Sequence, residues 1–388
     1  MNGFYRIGLV LLGLAGVSCC AMGQQPAAAA PAAGQGQSAT ASSAVSAHPQ
    51  ILLDVVVTDK SGRTVPGLHA SDFTVLDNAK PTKIVGFHAH NQADVPASAV
   101  DASTEVVLVL DELNAPYNKV AYAREGIEAF LRENGGNLEH PVSLAFFSES
   151  GLQVQTQPSI DGNAIAAALA KQGQSFRMLA EGTGFYGDEQ KLKLSMDGLD
   201  SLIADERTKP ARKMVIWISP GWPLMSGPQE DLSDKMRQSI FGTVVGLSTA
   251  LEKARMTLYS VDPLGAQGVG RPQSSFYEGF TKGLTKPADA HLADMGLQVL
   301  AVQTGGQAIF GDNPIAVSIN HCVDDLNAYY TLAIGTKTAA TRDQFHSVEV
   351  RVGKPGLKAR TRDGYYAQPS AETQMLRHGG MDGDGADD

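Results

Sequence analysis

The amino-acid sequence predicts an α/β fold in which a doubly wound, mostly parallel sheet is inserted into a small antiparallel β-sandwich. Three observations lead to this prediction. Continuous apolar runs alternate with amphipathic stretches through the middle of the chain, as in buried parallel strands separated by helices. Short alternating runs bounded by turn residues flank that region on both sides, as in antiparallel strands. Each flank alone has too few strands to be stable, so we expect the two flanks to pair.

The flanking β segments are assigned to residues 51–92 and 328–367. The first contains "ILLDVVVTDKSGRTVPGL" and "DFTVLDNAKPTKIVGFHAH", with turn clusters at 59–62 and 77–80. The second contains "YYTLAI", "FHSVEVRV" and "LKARTRDGYYA". Together they form the two halves of the predicted sandwich.

The inserted α/β domain is assigned to residues 104–327. The run "VVLVL" predicts a buried strand, and the following "NKVAYAREGIEAFL" predicts a helix with its apolar residues on one face. The pattern continues with "VSLAFF", "NAIAAALA", "MVIWI", a helical segment over about 231–254, "TLYSV", a second helical segment near 288–302, and "QAIF". The apolar face of the first helix consists of Val120, Ala123, Ile127, Phe130 and Leu131.

The N-terminal residues 1–23 have the pattern of an export signal. Arg6 supplies a positive charge, an apolar stretch follows up to residue 22, and small residues favour cleavage after Gly23. Lipid attachment at Cys19 or Cys20 is the less favoured alternative. No second apolar span follows, so we expect an exported protein, periplasmic or extracellular, with no transmembrane segment in the mature chain. Cleavage would leave only Cys322, which excludes an internal disulfide.

Composition sets further limits on the 388-residue chain, whose length suits two packed units plus tails. Residues 24–50, rich in Ala, Pro, Gln and Ser, and the acidic residues 368–388 have too little to bury and are predicted to be disordered. Acidic residues number 41 against 31 basic ones, a formal charge of −10, and no Lys/Arg block occurs. A nucleic acid is therefore not expected as a partner.

The combination of "LDVVVTDKSGRTVPGLHASDFTVLDNAKPTKIVGF", "VVLVLDELN", "YARE", "YYTLAI", "FHSVEVRV" and "GLKARTRDGYYA" resembles von Willebrand factor A-related (VWFA-related) exported proteins of the Acidobacteria type. The resemblance covers residues 51–367. It implies a von Willebrand factor type A (VWA) domain, with a Rossmann-like sheet, joined to a small β domain and without an established enzymatic activity.

The resemblance also directs attention to Asp111, which ends the first strand of the α/β domain. In metal-binding VWA domains this strand ends in Asp-x-Ser-x-Ser and a later strand ends in a motif like Thr-Asp-Gly. Here Leu113 and Ala115 stand at the serine positions, and "SPG" at 219–221 replaces the later motif. Mg²⁺ needs six hard oxygen ligands, so we expect a degenerate metal site with no cofactor. Asp111 is the one candidate ligand, while Glu112, Asn114 and Ser219 offer possible compensating oxygens for Mg²⁺ or Ca²⁺.

Two interpretations of this edge remain open from the sequence. Asp111 is expected to accept hydrogen bonds from backbone N–H groups of its loop or of the helix start near Asn118. The edge is also predicted to bind a protein segment through a rim, with aromatic side chains as anchors. Packing of Trp222 against its own loop is an equal alternative. This predicted rim consists of Asp111, Glu112, Asn114, Pro116, Tyr117, Ser219, Gly221 and Trp222.

Other chemical motifs are weak. His88 and His90 have metal-ligand spacing without a third ligand, and a surface pair is the preferred interpretation. His321 and Cys322 are interpreted as neighbours on a helix without a catalytic role. "GAQGVGRP" lacks the ending of a phosphate-binding loop, and residues 264–287 are predicted to form a long surface loop. The cations Lys358, Arg360 and Arg362, at period two, predict a solvated outer strand face, with an anion-binding or partner-facing stripe as the alternative.

The functional prediction is an exported, non-enzymatic module that binds a protein partner, as in adhesion or scaffolding, at the C-terminal ends of its parallel strands. One alternative is a binding protein that depends on Mg²⁺ or Ca²⁺ through Asp111. A second alternative is a hydrolase, although neither Gly-x-Ser-x-Gly nor His-Glu-x-x-His occurs.

Overall fold

The computed structural model describes residues 50–91, 104–155, 157–172, 184–223, 232–265, 276–311, 313–335 and 341–368. All of them belong to one compact unit, Ala47–Asp388. The predicted signal peptide with Cys19 and Cys20, the tether up to residue 49 and the tail from residue 369 lie outside the described residues. Gln50, which the sequence assigns to the tether, is the first residue of a strand.

The strands within the described ranges are numbered here in chain order. They are β1 (Gln50–Thr58), β2 (Phe73–Asp77), β3 (Lys80–Thr82), β4 (Ile84–Asn91), β5 (Glu105–Asp111), β6 (Asn137–Ser148), β7 (Gly151–Val154), β8 (Ser159–Asp161), β9 (Lys213–Ile218), β10 (Met256–Val261), β11 (Ala308–Ile309), β12 (Ala328–Gly335), β13 (Gln344–Val352), β14 (Lys358–Arg360) and β15 (Gly364–Ala367).

The α-helices are numbered in the same way. They are α1 (Tyr117–Leu131), α2 (Gly162–Lys171), α3 (Gly184–Glu206), α4 (Asp234–Lys253), α5 (Leu297–Gln303) and α6 (Ile315–Val323). None of the helices in the described ranges has the length and apolar content needed to cross a membrane.

The central sheet has the strand order β11-β10-β9-β5-β6-β7, and β8 also pairs with β6. Its first five strands are parallel, whereas β7 and β8 run antiparallel to β6 at one edge. Each residue of β5 is buried. Burial on both faces of the sheet explains why the residues between Glu105 and Asp111 are all apolar.

Alternate residues of the central strands pack against opposite layers of helices. Leu108 and its even-numbered neighbours in β5 share a core with Ile127 of α1 and with apolar residues of α2 and α6. Val107 and Val109 share the other core with Val244 of α4 and with residues of α3 and α5. This is a mixed, mostly parallel sheet with helices on both faces, as the sequence predicts.

The remaining strands form two four-stranded antiparallel sheets, with the orders β14-β1-β12-β4 and β15-β13-β2-β3. The two flanking β segments pair directly with each other: β1 pairs with β12, and β2 pairs with β13. Apolar residues of the two sheets, such as Leu53 and Val75, share one core. This arrangement is compatible with the predicted β-sandwich.

The helical segments differ in detail from the sequence predictions. The segment at about 231–254 forms α4, but only Leu297–Gln303 of the predicted 288–302 segment is α-helical. Short 3₁₀ turns at Pro287–Asp289 and Leu292–Met295 occupy the rest. Helix α3 was not predicted at all. Its first residues include two glycines, and glycine is a poor helix former, so the pattern gave no clear start.

Candidate functional site

The C-terminal edge of the central sheet is organised around the carboxylate of Asp111, which is completely buried. Its Oδ1 accepts hydrogen bonds from the backbone N–H groups of Leu113, at 3.0 Å, and Asn114, at 2.8 Å. Its Oδ2 accepts from Asn114 Nδ2, at 2.9 Å, and from the indole Nε1 of Trp217, at 3.0 Å. Both oxygens are therefore bonded to protein donors. The expected bonds to the loop backbone are present.

Burial raises the pKa of Asp111, because desolvation disfavours the charged form. Hydrogen bonds from Asn114, Ser219 and Trp217 act in the opposite direction and stabilise the ionised carboxylate. Trp217 belongs to β9, the strand next to β5. The site is thus a buried acceptor surrounded by donors from its own loop and from the neighbouring strand.

Two side chains that contact the Asp111 loop, Ser195 and Arg124, come from helices that the sequence analysis does not place beside it. Asn114 Nδ2 also lies 3.1 Å from Ser195 Oγ, a buried side chain of α3. The side chain of Glu112, only 6% exposed, lies 3.4 Å from Arg124 Nη1 of α1. Arg124 in turn donates to carbonyls near the end of α2. Glu112 and Asn114 therefore fasten the loop to the surrounding helices.

The loop after β9 is held in a similar way. Ser219 is completely buried, and its Oγ accepts a hydrogen bond from Gly221 N at 3.1 Å. Gly221 has φ +107°, which side-chain-bearing residues rarely adopt, and an added Cβ would contact the amide of Gln298. Gln298 Nε2 donates to the carbonyl of Pro220 at 3.2 Å. The "SPG" segment is thus a packed turn.

Trp222 is not an exposed anchor of the predicted rim, because it is only 3% exposed. Its ring packs edge-on against Trp217, with the ring centroids 5.4 Å apart. Trp222 is therefore packed inside the protein, but against Trp217 of β9 and not only against its own loop as the alternative interpretation had it. The reason is the apolar core beside α3 and α4, to which Trp222 belongs.

Tyr117 is the large exposed side chain of the predicted rim, at 54% exposure. It is the first residue of α1, and Pro116 before it and Asn118 after it are exposed as well. We name Pro116, Tyr117 and Asn118 the Tyr117 surface. Lys119 Nζ lies 3.3 Å from the carbonyl of Leu264 and joins the start of α1 to the loop after β10.

The residues around Asp111 do not fit the oxygen shell that Mg²⁺ requires. Both carboxylate oxygens already accept N–H donors, and the neighbouring Leu113 side chain has no lone pair. Within the described ranges, no group of three or more His, Cys, Asp or Glu side chains is arranged to hold a metal ion. The surroundings suit a hydrogen-bonded carboxylate better than a coordinated cation.

The histidine pair and the lone cysteine of the sequence analysis pack against other side chains of the protein. His88 and His90 lie side by side on β4, with ring centroids 4.4 Å apart, and His90 stacks on Tyr329. Burial lowers the pKa of His90 to about 4. Cys322 is completely buried within α6. Of the glycine-rich stretch at 265–272, only Gly265 belongs to the described residues.

The prediction of a solvated cationic face on Lys358, Arg360 and Arg362 is wrong for the two arginines. Arg360 pairs with the buried Asp325 and contacts the Tyr259 hydroxyl. Arg362 is only 7% exposed. Both side chains contact residues of the α/β domain, Arg360 through Asp325 and Arg362 through the carbonyl of Ser248 in α4. Period-two spacing does not reveal this placement.

A buried acid–base pair, which the sequence analysis does not predict, lies in the antiparallel sheet β15-β13-β2-β3. His346 Nδ1 is 2.7 Å from Asp77 Oδ1, and the Tyr365 hydroxyl lies 3.1 Å from Asp77 Oδ2. The other ring nitrogen of His346 has no hydrogen-bond partner in the described part of the chain. A catalytic triad would need a nucleophile within hydrogen-bond distance of that second nitrogen, Nε2, and the described residues provide none.

Comparison with known proteins found similarity to solved structures. No protein-family model matches the chain, and no curated protein matches it. Similar solved structures include the SpRpn10 VWA domain, with a TM-score of 0.29 and 10% identity over 58% of this chain and 98% of that one. The pilus adhesin SpaC from Lactobacillus rhamnosus GG has a TM-score of 0.33 and 11% identity, over 79% of this chain and 49% of the adhesin chain. Proximal thread matrix protein 1 from the mussel byssus has a TM-score of 0.21 and 11% identity, over 42% of this chain and 38% of that one.

Proposed function

We propose that this chain is an exported, non-enzymatic module of the VWA type, and that it binds a protein partner at the C-terminal edge of its parallel sheet without a metal ion. The sequence resemblance motivates the class. The single observation that carries the metal-free part is the set of four N–H groups bonded to Asp111. A carboxylate held in this way supports the loop rather than a cation.

The Tyr117 surface is the contact area in this proposal. A tyrosine ring supplies a large apolar area together with a hydroxyl, a combination that is enriched at protein interfaces. It lies at the start of α1, beside the loop that Asp111, Glu112 and Asn114 hold in place. A fixed loop reduces the entropy lost when a partner binds.

Site-specific cross-linking tests this proposal. A photoreactive phenylalanine analogue replaces Tyr117 in the full chain, and a matched variant carries it at Tyr122. Tyr122 is an exposed aromatic residue of the same helix, at 39% exposure, but five positions away and so on another face. We expect one protein partner to be cross-linked at position 117 and not at 122, with equal yield in EDTA and in Mg²⁺.

Two results would count against the proposal. Equal cross-linking at both positions would show that the Tyr117 surface is not the contact area. Cross-linking at position 117 that disappears in EDTA and returns with Mg²⁺ would instead support the metal-dependent alternative. Binding of the cross-linked partner, once purified, is then measured with Tyr117→Ala and Tyr122→Ala, and we expect only the first to weaken it.

A further inference from the structure

A cavity of about 200 Å³ lies at the N-terminal end of β5, the end opposite to Asp111. Its apolar lining includes Val106 of β5, Val142 of the neighbouring strand β6 and Phe130 of α1. All three are buried and belong to the core beneath α1 and α6. The cavity is therefore separate from the Tyr117 surface, which lies at the other end of α1.

The polar side chains that line the cavity include three carboxylates, those of Glu133, Glu139 and Asp324, whereas no lysine or arginine is among its described lining residues. Glu133 Oε2 accepts a hydrogen bond from Asn320 Nδ2 at 2.8 Å, and Asp324 Oδ1 accepts from Asn327 Nδ2 at 3.2 Å. These neutral amides orient the two carboxylates without neutralising them. The cavity therefore has a negative potential.

Two arginines near this cavity direct their charges to other carboxylates. Arg132, directly after α1, places its Nη2 2.9 Å from Glu128 Oε1. Arg212, which acts electrostatically on the lining residue His140, has its Nε 3.4 Å from Asp54 Oδ2. Neither arginine lines the cavity.

Two helices end at the cavity and add to its negative potential. Phe130 lies in the last turn of α1, and Val323 is the last residue of α6. The C-terminal end of a helix carries a partial negative charge, which favours a nearby cation. The last turn of α1 contains no basic side chain, and that of α6 contains only His321.

His140 supplies a hydrogen-bonding atom in the lining. Its Nε2 is buried and has no hydrogen-bond partner in the described part of the chain. Burial lowers the pKa of the ring, so the ring is neutral at neutral pH. A neutral ring with its proton on Nδ1 offers Nε2 as an acceptor. A buried acceptor without a donor is costly, which indicates a bound N–H or O–H group.

We propose that this cavity binds a small organic cation, a primary ammonium group on a compact apolar body, between the carboxylates of Glu133 and Asp324 and the buried Nε2 of His140. The apolar body packs against Phe130. The volume is suitable, because a cavity of about 150 Å³ accommodates benzene. A metal ion is a poorer ligand, since no three His, Cys, Asp or Glu side chains in the described ranges are arranged to hold one.

Calorimetric titration of the full chain with phenethylammonium tests this binding. Phenethyl alcohol has nearly the same shape without the charge, and hydrocinnamate reverses the charge. We expect a Kd on the order of 1 mM or tighter for the ammonium, as for a well-placed ligand of this size. The alcohol should bind at least about tenfold more weakly, because it lacks the attraction to the carboxylates. Absence of ammonium binding, or equal binding of the ammonium and the alcohol, would overturn the proposal.

A pair of double variants tests the position. Glu133→Gln with Asp324→Asn removes two charges but keeps an oxygen to accept each amide bond. The control, Asp188→Asn with Glu189→Gln, removes two exposed charges from α3, which packs on the opposite face of the central sheet. We expect the first pair to weaken phenethylammonium binding about fivefold or more, and the control to weaken it less than about twofold. Equal weakening would show general attraction to an acidic protein and would contradict the proposal.

The ¹⁵N resonance of His140 gives a readout that does not depend on total charge. The resonance is assigned by its loss in His140→Gln. We expect the Nε2 signal to move when phenethylammonium is added and to stay in place with hydrocinnamate. An unchanged signal at saturating phenethylammonium would mean that the ammonium binds elsewhere, and the proposal would fail. This measurement also decides if the double variant at the cavity does not fold.

Discussion

The indole Nε1–H of Trp217 donates a 3.0 Å hydrogen bond to Oδ2 of Asp111, across the boundary between β9 and β5. A neutral donor on a rigid ring therefore lies against the carboxylate that a cation would otherwise approach. Edge-on contacts with Phe147 and Trp222 fix the ring, at centroid distances of 5.5 and 5.4 Å. The orientation of the donor is built into the core rather than supplied by a ligand.

Chelation is expected to leave the stability of the protein unchanged. The two oxygens of Asp111 are bonded to four N–H groups, so an added cation gains no favourable ligand there. We predict the same Tm, within the error of the measurement, in EDTA, in millimolar Mg²⁺ and in millimolar Ca²⁺. Differential scanning calorimetry of the full chain is the measurement.

A rise in Tm of several degrees with either metal would contradict this prediction, because a ligand that binds only the folded state stabilises it by mass action. Asp111→Asn then identifies the site. If a metal-dependent rise survives this substitution, the ion binds elsewhere, and the hydrogen-bonded role of Asp111 is retained.

The Asp111 carboxylate should be worth more to stability than one ordinary hydrogen bond. Asp111→Asn replaces one acceptor oxygen by an NH₂ group that faces N–H donors, so we predict a loss of about 2–4 kcal/mol in the free energy of unfolding. Trp217→Phe keeps the ring but removes its donor, and should cost about 1–2 kcal/mol. Urea denaturation followed by circular dichroism measures both.

A double-mutant cycle separates their contact from general damage to the core. The double variant should be less destabilised than the sum of the single variants, with a coupling of about 1 kcal/mol, since either change alone breaks the same bond. Asp188→Asn, an exposed acid on α3, is the control and should be nearly neutral. Strict additivity would mean that the Trp217 contact contributes nothing.

The position of Asp111, and the lack of oxygen donors around it, follow from the sequence. Within β5 the residues Val106–Leu110 are a continuous apolar run, so the charged residue that follows them, Asp111, must lie at the C-terminal end of the strand. The side chains of Leu113 and Ala115 carry no oxygen and cannot be ligands. Trp217 as the partner does not follow. It depends on which strand lies beside β5, a long-range pairing that local periodicity does not contain.

The burial of Arg360 and Arg362 does not follow from the sequence either. Period two correctly places them on one face of the chain, but only packing decides whether that face meets water or another layer. Here it meets Asp325 and Glu252, which lie far away in sequence. Trp222 was uncertain for a similar reason, because an aromatic residue in a loop serves a core and an interface equally well.

Asp363 makes a contribution to stability that falls as the pH rises toward neutrality. Burial raises its pKa to about 7, and the bonds from Gly283 and the charge of Arg362 only partly oppose this. The folded state therefore holds a proton that the unfolded state has released. Stabilisation is complete below the unfolded pKa and is lost between about pH 4 and pH 7, by roughly 3–4 kcal/mol.

Asp363→Asn should remove this part of the pH dependence. The amide oxygen of asparagine can still accept the Gly283 N–H, which donates to Asp363 at 2.8 Å, so the variant should be more stable than the native chain at pH 7.5. Urea unfolding from pH 4 to pH 8 gives both curves. Asp294, whose pKa is raised to about 6 by burial, adds a slope of the same sign in both proteins. Parallel curves for the two proteins would refute the role given to Asp363.

Two glycines with opposite surroundings give a matched pair of substitutions. Gly221 has φ +107° in the turn beside Asp111, so Gly221→Ala should strain the backbone and cost about 1–3 kcal/mol. Gly242 lies inside α4 with open space around its Cβ position, so Gly242→Ala should stabilise the helix by about 0.5–1 kcal/mol. Urea unfolding of the two variants should shift in opposite directions. A neutral Gly221→Ala would mean that the "SPG" turn relaxes freely, and a loop that relaxes freely would not hold the Tyr117 surface in a single conformation.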